Sequence, residues 1–139
     1  MARDIITTDI APIKTLLLKV LGTDEYCDIS RMGGLTNHTY KVSMPDGGEY
    51  VVRIPGEGTE EMIVRSDEMV STKLACDLGV DAELLYFGEN GEKVTRFIPD
   101  AITMSASLLR EPGHIKQVAD IFRRMHSCGV DTGVPFEVF

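Results

Sequence analysis

The sequence lacks several features that define whole classes of protein. No apolar stretch approaches the roughly 18 residues needed to span a bilayer, and the N-terminus carries Asp4 and Asp9 where a signal peptide would have an apolar core. The three cysteines form no CxxC pair, and the three histidines lack the HExxH spacing of a zinc site. We therefore expect a cytoplasmic protein without membrane insertion and without a metal site of its own.

Basic residues are also scarce. Lys and Arg total 14 against 22 Asp and Glu, which gives a net charge of −8. Nucleic-acid binding draws most of its affinity from Lys and Arg at phosphates, so we expect no nucleic-acid partner. An acidic surface is compatible with a cationic substrate, but most acidic proteins use their charge for solubility. The 139 residues, 43% of them hydrophobic, suit one globular domain, or one domain and a fragment of a second.

Periodicity and turn signals predict an α+β chain. Apolar residues at helical spacing and alternating β-branched residues are punctuated by Gly and Pro clusters at 45–48 and 88–91. We predict helices over 8–22, 59–78 and 114–128, and strands over 27–31, 39–44, 49–54, 82–87 and 93–98. The first three strands are consecutive, and one long helix separates them from the last two.

A pair of glycines lies between the first two predicted strands, in Gly33-Gly34-Leu35-Thr36-Asn37. Consecutive glycines let backbone N–H groups approach a phosphate, and Thr36 and Asn37 add side-chain donors. The alternative is a hairpin loop that only needs positive φ angles. The motif is neither GxGxxG nor a Walker loop, so its spacing alone does not distinguish a phosphate-binding loop from a simple hairpin loop.

Two charged residues are candidates for one ion pair. Arg53 alternates with Val52 and Ile54 on the third predicted strand and therefore points to the opposite face of the sheet. Glu68 lies at the edge of the apolar stripe on the long predicted helix, where it could meet Arg53. In the alternative, Arg53 is exposed and Glu68 is solvated or pairs locally with Arg65, three residues earlier.

Read together, these segments resemble a known family. The motifs GGLTNHTY, YVVRIPG, RxxE at 65–68, LLYF, RRMHS and VPFEVF are similar to the N-terminal part of bacterial choline kinases, within the choline/ethanolamine kinase and aminoglycoside phosphotransferase superfamily. The resemblance covers roughly residues 28–139. It implies a protein-kinase-like N-terminal lobe, with a five-stranded antiparallel sheet and one long helix, followed by the first helix of the C-terminal lobe. The expected division is 1–100 for the ATP-binding lobe with its leading helix, and 101–139 for the connector and the start of a truncated C-terminal lobe.

The resemblance also assigns roles. Gly33–Asn37, with Leu35 among them, would be the phosphate-binding loop, Arg53 would contact the nucleotide phosphates, and Glu68 would hold Arg53. Phe97, Ile98 and Pro99 would form the hinge against adenine, and because Pro99 has no N–H, a neighbour such as Ile98 must donate. The reaction implied is transfer of the ATP γ-phosphoryl group to the hydroxyl of choline with Mg²⁺. Ethanolamine, thiamine, methylthioribose or an aminoglycoside as substrate, or a non-catalytic nucleotide-binding module, stay open.

The family's catalytic loop, HxDxxxxN, has no counterpart in this sequence. In that motif an aspartate stands five residues before the asparagine. The sequence has two asparagines, Asn37 and Asn90, and the residues five positions before them are Met32 and Leu85. We therefore expect no catalytic residue here, the Mg²⁺ ligands in a missing C-terminal lobe, and an inactive chain when it is alone. The apolar face of the final helix, with Phe136 and Phe139, predicts self-association.

Overall fold

The computed structural model describes residues 5–34, 36–59 and 63–135. Its helices are α1 Ile10–Leu21, α2 Arg65–Asp77 and α3 Pro112–His126, and its strands are β1 Asp28–Gly33, β2 Asn37–Ser43, β3 Glu49–Pro55, β4 Leu84–Phe87 and β5 Lys93–Arg96. Short 3-10 turns cover Thr7–Asp9 and Leu108–Arg110. The strands form one antiparallel sheet in the order β1-β2-β3-β5-β4. The predicted α+β class, with five antiparallel strands and a helix between the third and fourth, is confirmed.

Strand alternation divides the sheet into two different faces. On β3, Tyr50, Val52 and Ile54 are buried, whereas the residues between them are only half-buried. The buried set packs against Ile13 and Leu17 of α1, both fully buried. Burying a side chain of this kind contributes about 1.5–3 kcal/mol. The core thus occupies the α1 side, and the opposite side of β3 is left for Arg53.

A buried acid fixes the start of α1 to the sheet. The Tyr40 hydroxyl donates to Asp9 Oδ2 at 2.5 Å, and His38 Nδ1 lies 2.8 Å from the same oxygen. Burial, and then the hydrogen bond to Asp9, raise the pKa of Tyr40 to about 12. The leading helix is therefore attached to β2 by a polar contact as well as by its apolar face.

The long helix begins later than predicted. α2 starts at Arg65 rather than at 59, and Val64 before it is extended with φ −77° and ψ 103°. Thr59 instead belongs to a turn in which its hydroxyl donates to the Gly56 carbonyl at 2.9 Å. A side chain that bonds its own local backbone competes with helix formation. Residues 60–62, which fall within the predicted helix, lie outside the described residues.

The chain leaves the sheet after β5. Residues 97–104 form no helix or strand, and α3 presents exposed apolar side chains, among them Ile115, Phe122 and Met125. Arg124 of α3 donates to the Leu78 carbonyl at 3.2 Å, which joins its C-terminal part to the end of α2. The division at residue 100 stays a prediction. Among the described residues, no helix has the length and apolar character needed to cross a membrane.

The pairing of β1 with β2 extends one residue beyond the end of β1. Cys27, exposed just before β1, donates its N–H to the Ser43 carbonyl at 2.7 Å.

Candidate functional site

Arg53 is held from two sides on the face opposite α1. Its Nη1 donates to Glu68 Oε1 of α2, and its Nη2 and Nε donate to the Gly91 carbonyl at 2.8 and 3.2 Å. The guanidinium carbon also lies 5.5 Å from the centre of the Phe87 ring. The contact expected between Arg53 and Glu68 is present. The turn between β4 and β5 adds a second anchor, so the direction of the guanidinium is fixed.

Glu68 accepts from a second arginine as well. Arg65 Nη1 donates to Glu68 Oε2 at 2.8 Å, so the two arginines divide the two carboxylate oxygens between them. Burial alone would raise the pKa of Glu68, but hydrogen bonds from Arg53 and Arg65, together with their charges, hold that pKa below its ordinary value. The two partners weighed as alternatives for Glu68 are therefore both present, and the carboxylate stays ionised.

A cavity of about 350 Å³ lies beside this ion pair. Arg53, Phe97 and Ile98, three of the predicted site residues, line it. The rest of its wall consists of Met32, Thr39, Val51, Asp81, Ala82, Lys93, Thr95, Arg96 and Ala101. A mostly apolar lining with a few charged groups is typical of small-molecule sites. The described part of the structure thus brings Arg53 and the residues after β5 to one cavity.

Among the three predicted hinge residues Phe97, Ile98 and Pro99, only Ile98 has an N–H that is not already paired in the described structure. The Phe97 N–H donates to the Glu49 carbonyl at 3.1 Å, and Pro99 has none to give. Within the described residues the Ile98 N–H has no hydrogen-bond partner, and Ile98 is 52% exposed. Lys41 Nζ lies 4.1 Å from the centre of the Phe97 ring. Pro99 itself does not line the cavity.

The glycine-rich segment flanks the cavity rather than lining it. Gly33 and Gly34 have φ angles of +135° and +106°, and a Cβ on Gly34 would lie 2.0 Å from the Asn37 carbonyl oxygen. The Thr36 carbonyl accepts from the Gly56 N–H at 3.0 Å. Leu35 lies outside the described residues. These angles are what the hairpin alternative requires, and the phosphate role of this segment stays a prediction.

Several residues that line the cavity or hold Arg53 were not predicted from the sequence. Thr39, Val51 and Thr95 share the Arg53 face, which the period-two alternation of β2, β3 and β5 could have indicated. Lys93 lines the cavity, with its Nζ 3.6 Å from Asp81 Oδ2. No sequence signal points to Gly91. Its carbonyl lies near Arg53 only because β5, which follows it, pairs with β3.

The described residues offer Mg²⁺ no obvious site. Nowhere in 5–34, 36–59 and 63–135 do three His, Cys, Asp or Glu side chains meet in a group that could hold an ion. Among the residues that the structure describes, Asp81 is the one carboxylate that lines the cavity, and it lies 3.6 Å from Lys93 Nζ rather than beside a second acid.

The sheet order, the helix between β3 and β4 and the charged pair joining them define the N-terminal lobe of a protein-kinase-like fold. A family model described as choline/ethanolamine kinase matches residues 29–136. The chain belongs to the choline/ethanolamine kinase family, which confirms the resemblance of its motifs.

Known proteins support this placement. The crystal structure of choline kinase LicA from Streptococcus pneumoniae matches with a TM-score of 0.77 and 28% identity, over 94% of this chain and 45% of that one. A crystal structure of LicA in complex with AMP gives 0.75 and 29%, over 91% and 44%. Protein LicA of Haemophilus influenzae is 28% identical over 70% of this chain and 29% of its own length.

A more distant likeness shows the fold alone. Plasmodium vivax ethanolamine kinase matches with a TM-score of 0.65 at 21% identity, over 75% of this chain and 28% of that one. The chain thus spans less than half the length of each of these relatives.

Proposed function

We propose that this chain forms the ATP-binding lobe of a kinase that transfers the γ-phosphoryl group of ATP to the hydroxyl of choline. The observation that carries the proposal is the shared cavity of Arg53, Phe97 and Ile98, with Arg53 fixed by Glu68 and Gly91. A relative of similar fold and 29% identity is described as a complex with AMP. The choline substrate is supported by the description of LicA as a choline kinase.

In this proposal the adenine ring lies against the apolar wall, and the Ile98 N–H donates to its edge. The phosphates extend toward Arg53, whose planar guanidinium matches phosphate oxygens. Gly33, Gly34, Leu35, Thr36 and Asn37 close over the phosphates from the end of β1. Catalysis of phosphoryl transfer is mostly positioning and charge neutralisation, and these residues supply the nucleotide half of it.

The acceptor half of the reaction is proposed to come from residues outside the described chain. We place the catalytic base and the Mg²⁺ ligands there; for the metal this is supported by the lack, among the described residues, of three His, Cys, Asp or Glu side chains that could hold an ion together. We also propose a cytoplasmic location. The net charge of −8 supports the further proposal that the chain has no nucleic-acid partner. Self-association through the exposed face of α3 stays a prediction, which sedimentation of the 139-residue chain would test.

Calorimetry with ATP tests the nucleotide role. Arg53→Ala should weaken binding by roughly 10- to 150-fold, because a hydrogen bond to a charged group contributes about 1.5–3 kcal/mol. Arg110→Ala is the matched control, since Arg110 is exposed outside the cavity. Equal ATP affinity in wild type and Arg53→Ala would remove Arg53 from the site, and no ATP binding by the wild type would refute the proposal.

Ethanolamine is the second candidate substrate, because the matching family model is named for both alcohols. A phosphorylation screen over choline, ethanolamine and thiamine, using the product of the intact reading frame, separates them. Preference for choline in kcat/KM supports the first candidate, and preference for either of the others overturns it.

A further inference from the structure

Arg65 is a buried arginine that the proposed nucleotide contacts do not use. Its side chain is 8% exposed, and its two terminal nitrogens are directed to different partners. Nη1 donates to Glu68 Oε2 at 2.8 Å, whereas Nη2 donates to Thr59 Oγ1 at 2.7 Å. Burying a guanidinium costs free energy unless the charge is paired and hydrogen-bonded. The two contacts provide that compensation and hold the Arg65 side chain in place.

The contact with Thr59 continues toward the glycine-rich segment. Thr59 is buried, and its hydroxyl accepts from Arg65 while donating to the Gly56 carbonyl at 2.9 Å. The Gly56 N–H in turn donates to the Thr36 carbonyl at 3.0 Å, and a Cβ at Gly56 would lie 2.4 Å from that oxygen. A continuous series of hydrogen bonds therefore runs from Glu68 of α2 to the segment between β1 and β2.

The turn between β4 and β5 closes the network on its other side. The Gly91 carbonyl accepts from Arg53, and a Cβ on Gly91 would lie 2.5 Å from Arg65 Nε. Gly91 thus fits between the two arginines, where a larger residue would push Arg65 away. Two guanidiniums share one carboxylate, so the group of Arg53, Arg65 and Glu68 carries a net charge of +1 that an anionic phosphate can neutralise.

We propose that Arg65 is a positioning residue for nucleotide phosphates. It acts through Glu68 on Arg53 and through Thr59 on the glycine-rich segment, so that the two phosphate-binding elements keep a fixed separation. The inference rests on the proposed function, since it requires the phosphates to lie at Arg53. A purely structural role predicts something different: removing the link would weaken every ligand of the cavity alike.

Thr59→Val tests the link without changing any charge. The valine removes both hydrogen bonds of the hydroxyl, to Arg65 and to Gly56; if about 1 kcal/mol of that loss reaches the phosphate contacts, ATP binding weakens roughly fivefold by calorimetry. Binding of adenosine, which has no phosphate, should not change when followed by NMR titration. Thr59→Ser keeps the hydroxyl and should restore wild-type ATP affinity. Thr72→Val is the matched control, because Thr72 is also a buried threonine but lies within α2, outside this series of hydrogen bonds.

A second variant tests the arginine itself. Arg65→Lys keeps the charge but cannot bridge Glu68 and Thr59 together, because an ammonium lacks the guanidinium fork. It should also weaken ATP and spare adenosine. Equal losses for both ligands in Thr59→Val, or unchanged ATP affinity in both variants, would overturn the positioning role while leaving the ATP site intact. A wild-type chain that binds no ATP would instead refute the proposed function itself.

Discussion

Replacing Glu68 with glutamine should destabilise the fold more than any exposed acid can. The amide keeps the size of the carboxylate but removes the only negative charge that Arg53 and Arg65 share in the described contacts. Exposed ion pairs contribute about 0–1 kcal/mol, whereas breaking a fully buried one costs about 3–5 kcal/mol. The side chains of Glu68, Arg53 and Arg65 are 23%, 14% and 8% exposed, an intermediate case.

We therefore expect Glu68→Gln to lower the free energy of unfolding by about 2–3 kcal/mol at neutral pH. For a chain of this length that corresponds to a fall in Tm of roughly 10 °C, measured by circular dichroism. Glu83→Gln is the control, because Glu83 pairs with Arg96 at 3.5 Å while 64% exposed. Its Tm should change by less than about 3 °C.

Acid provides an independent check of the same reasoning. The folded-state pKa of Glu68 is lowered, so its stabilisation is present above the ordinary value of about 4.3 and is lost as pH falls through the folded pKa. The difference between wild type and Glu68→Gln should therefore shrink in that acid range. Equal Tm losses in the Glu68 and Glu83 variants, or a difference that does not depend on pH, would refute the argument.

Three further predictions concern the core, the alkaline range and the glycine-rich segment. Leu17→Ala, at a fully buried position, should cost about 2–5 kcal/mol in a denaturant titration, whereas Leu18→Ala beside it, at an exposed position, should cost under about 1 kcal/mol. Tyr40 has a raised pKa, so its stabilisation is complete below about pH 10 and is lost as pH rises through about 12; Tyr40→Phe should remove this alkaline loss from the unfolding curves. Gly34→Ala should reduce both stability and ATP affinity, because the new Cβ would meet a backbone oxygen at 2.0 Å; Gly22→Ala, with nothing within 4 Å of its Cβ, should cost only the strain of its positive φ.

The charged pair shows how far sequence reasoning extends toward the site. Alternation along 49–54 predicts that Arg53 points away from the buried residues, and helical spacing brings Glu68 toward it. The sequence left open whether Glu68 pairs with Arg53 or with Arg65. Strand alternation allows the first pair, and the three-residue spacing along the helix allows the second. Only the tertiary structure, in which Glu68 of α2 reaches Arg53 of β3, shows that one carboxylate accepts from both arginines.

The start of α2 shows where local signals mislead. Apolar residues at helical spacing favour a helix from 59, yet the Thr59 hydroxyl bonds to Gly56 and Arg65 instead. Helix propensity is a weak preference of less than about 1 kcal/mol per residue, and a set of tertiary hydrogen bonds outweighs it.

The sequence by itself determined the class of this protein and the order of its helices and strands, because periodicity and turn chemistry act over short distances. The tertiary structure decided the rest. It inserted β5 between β3 and β4, brought the Gly91 carbonyl to Arg53, and joined Arg65 to both Glu68 and Thr59. Those contacts depend on which groups become neighbours in space although they are far apart in the sequence. Local sequence patterns do not determine that.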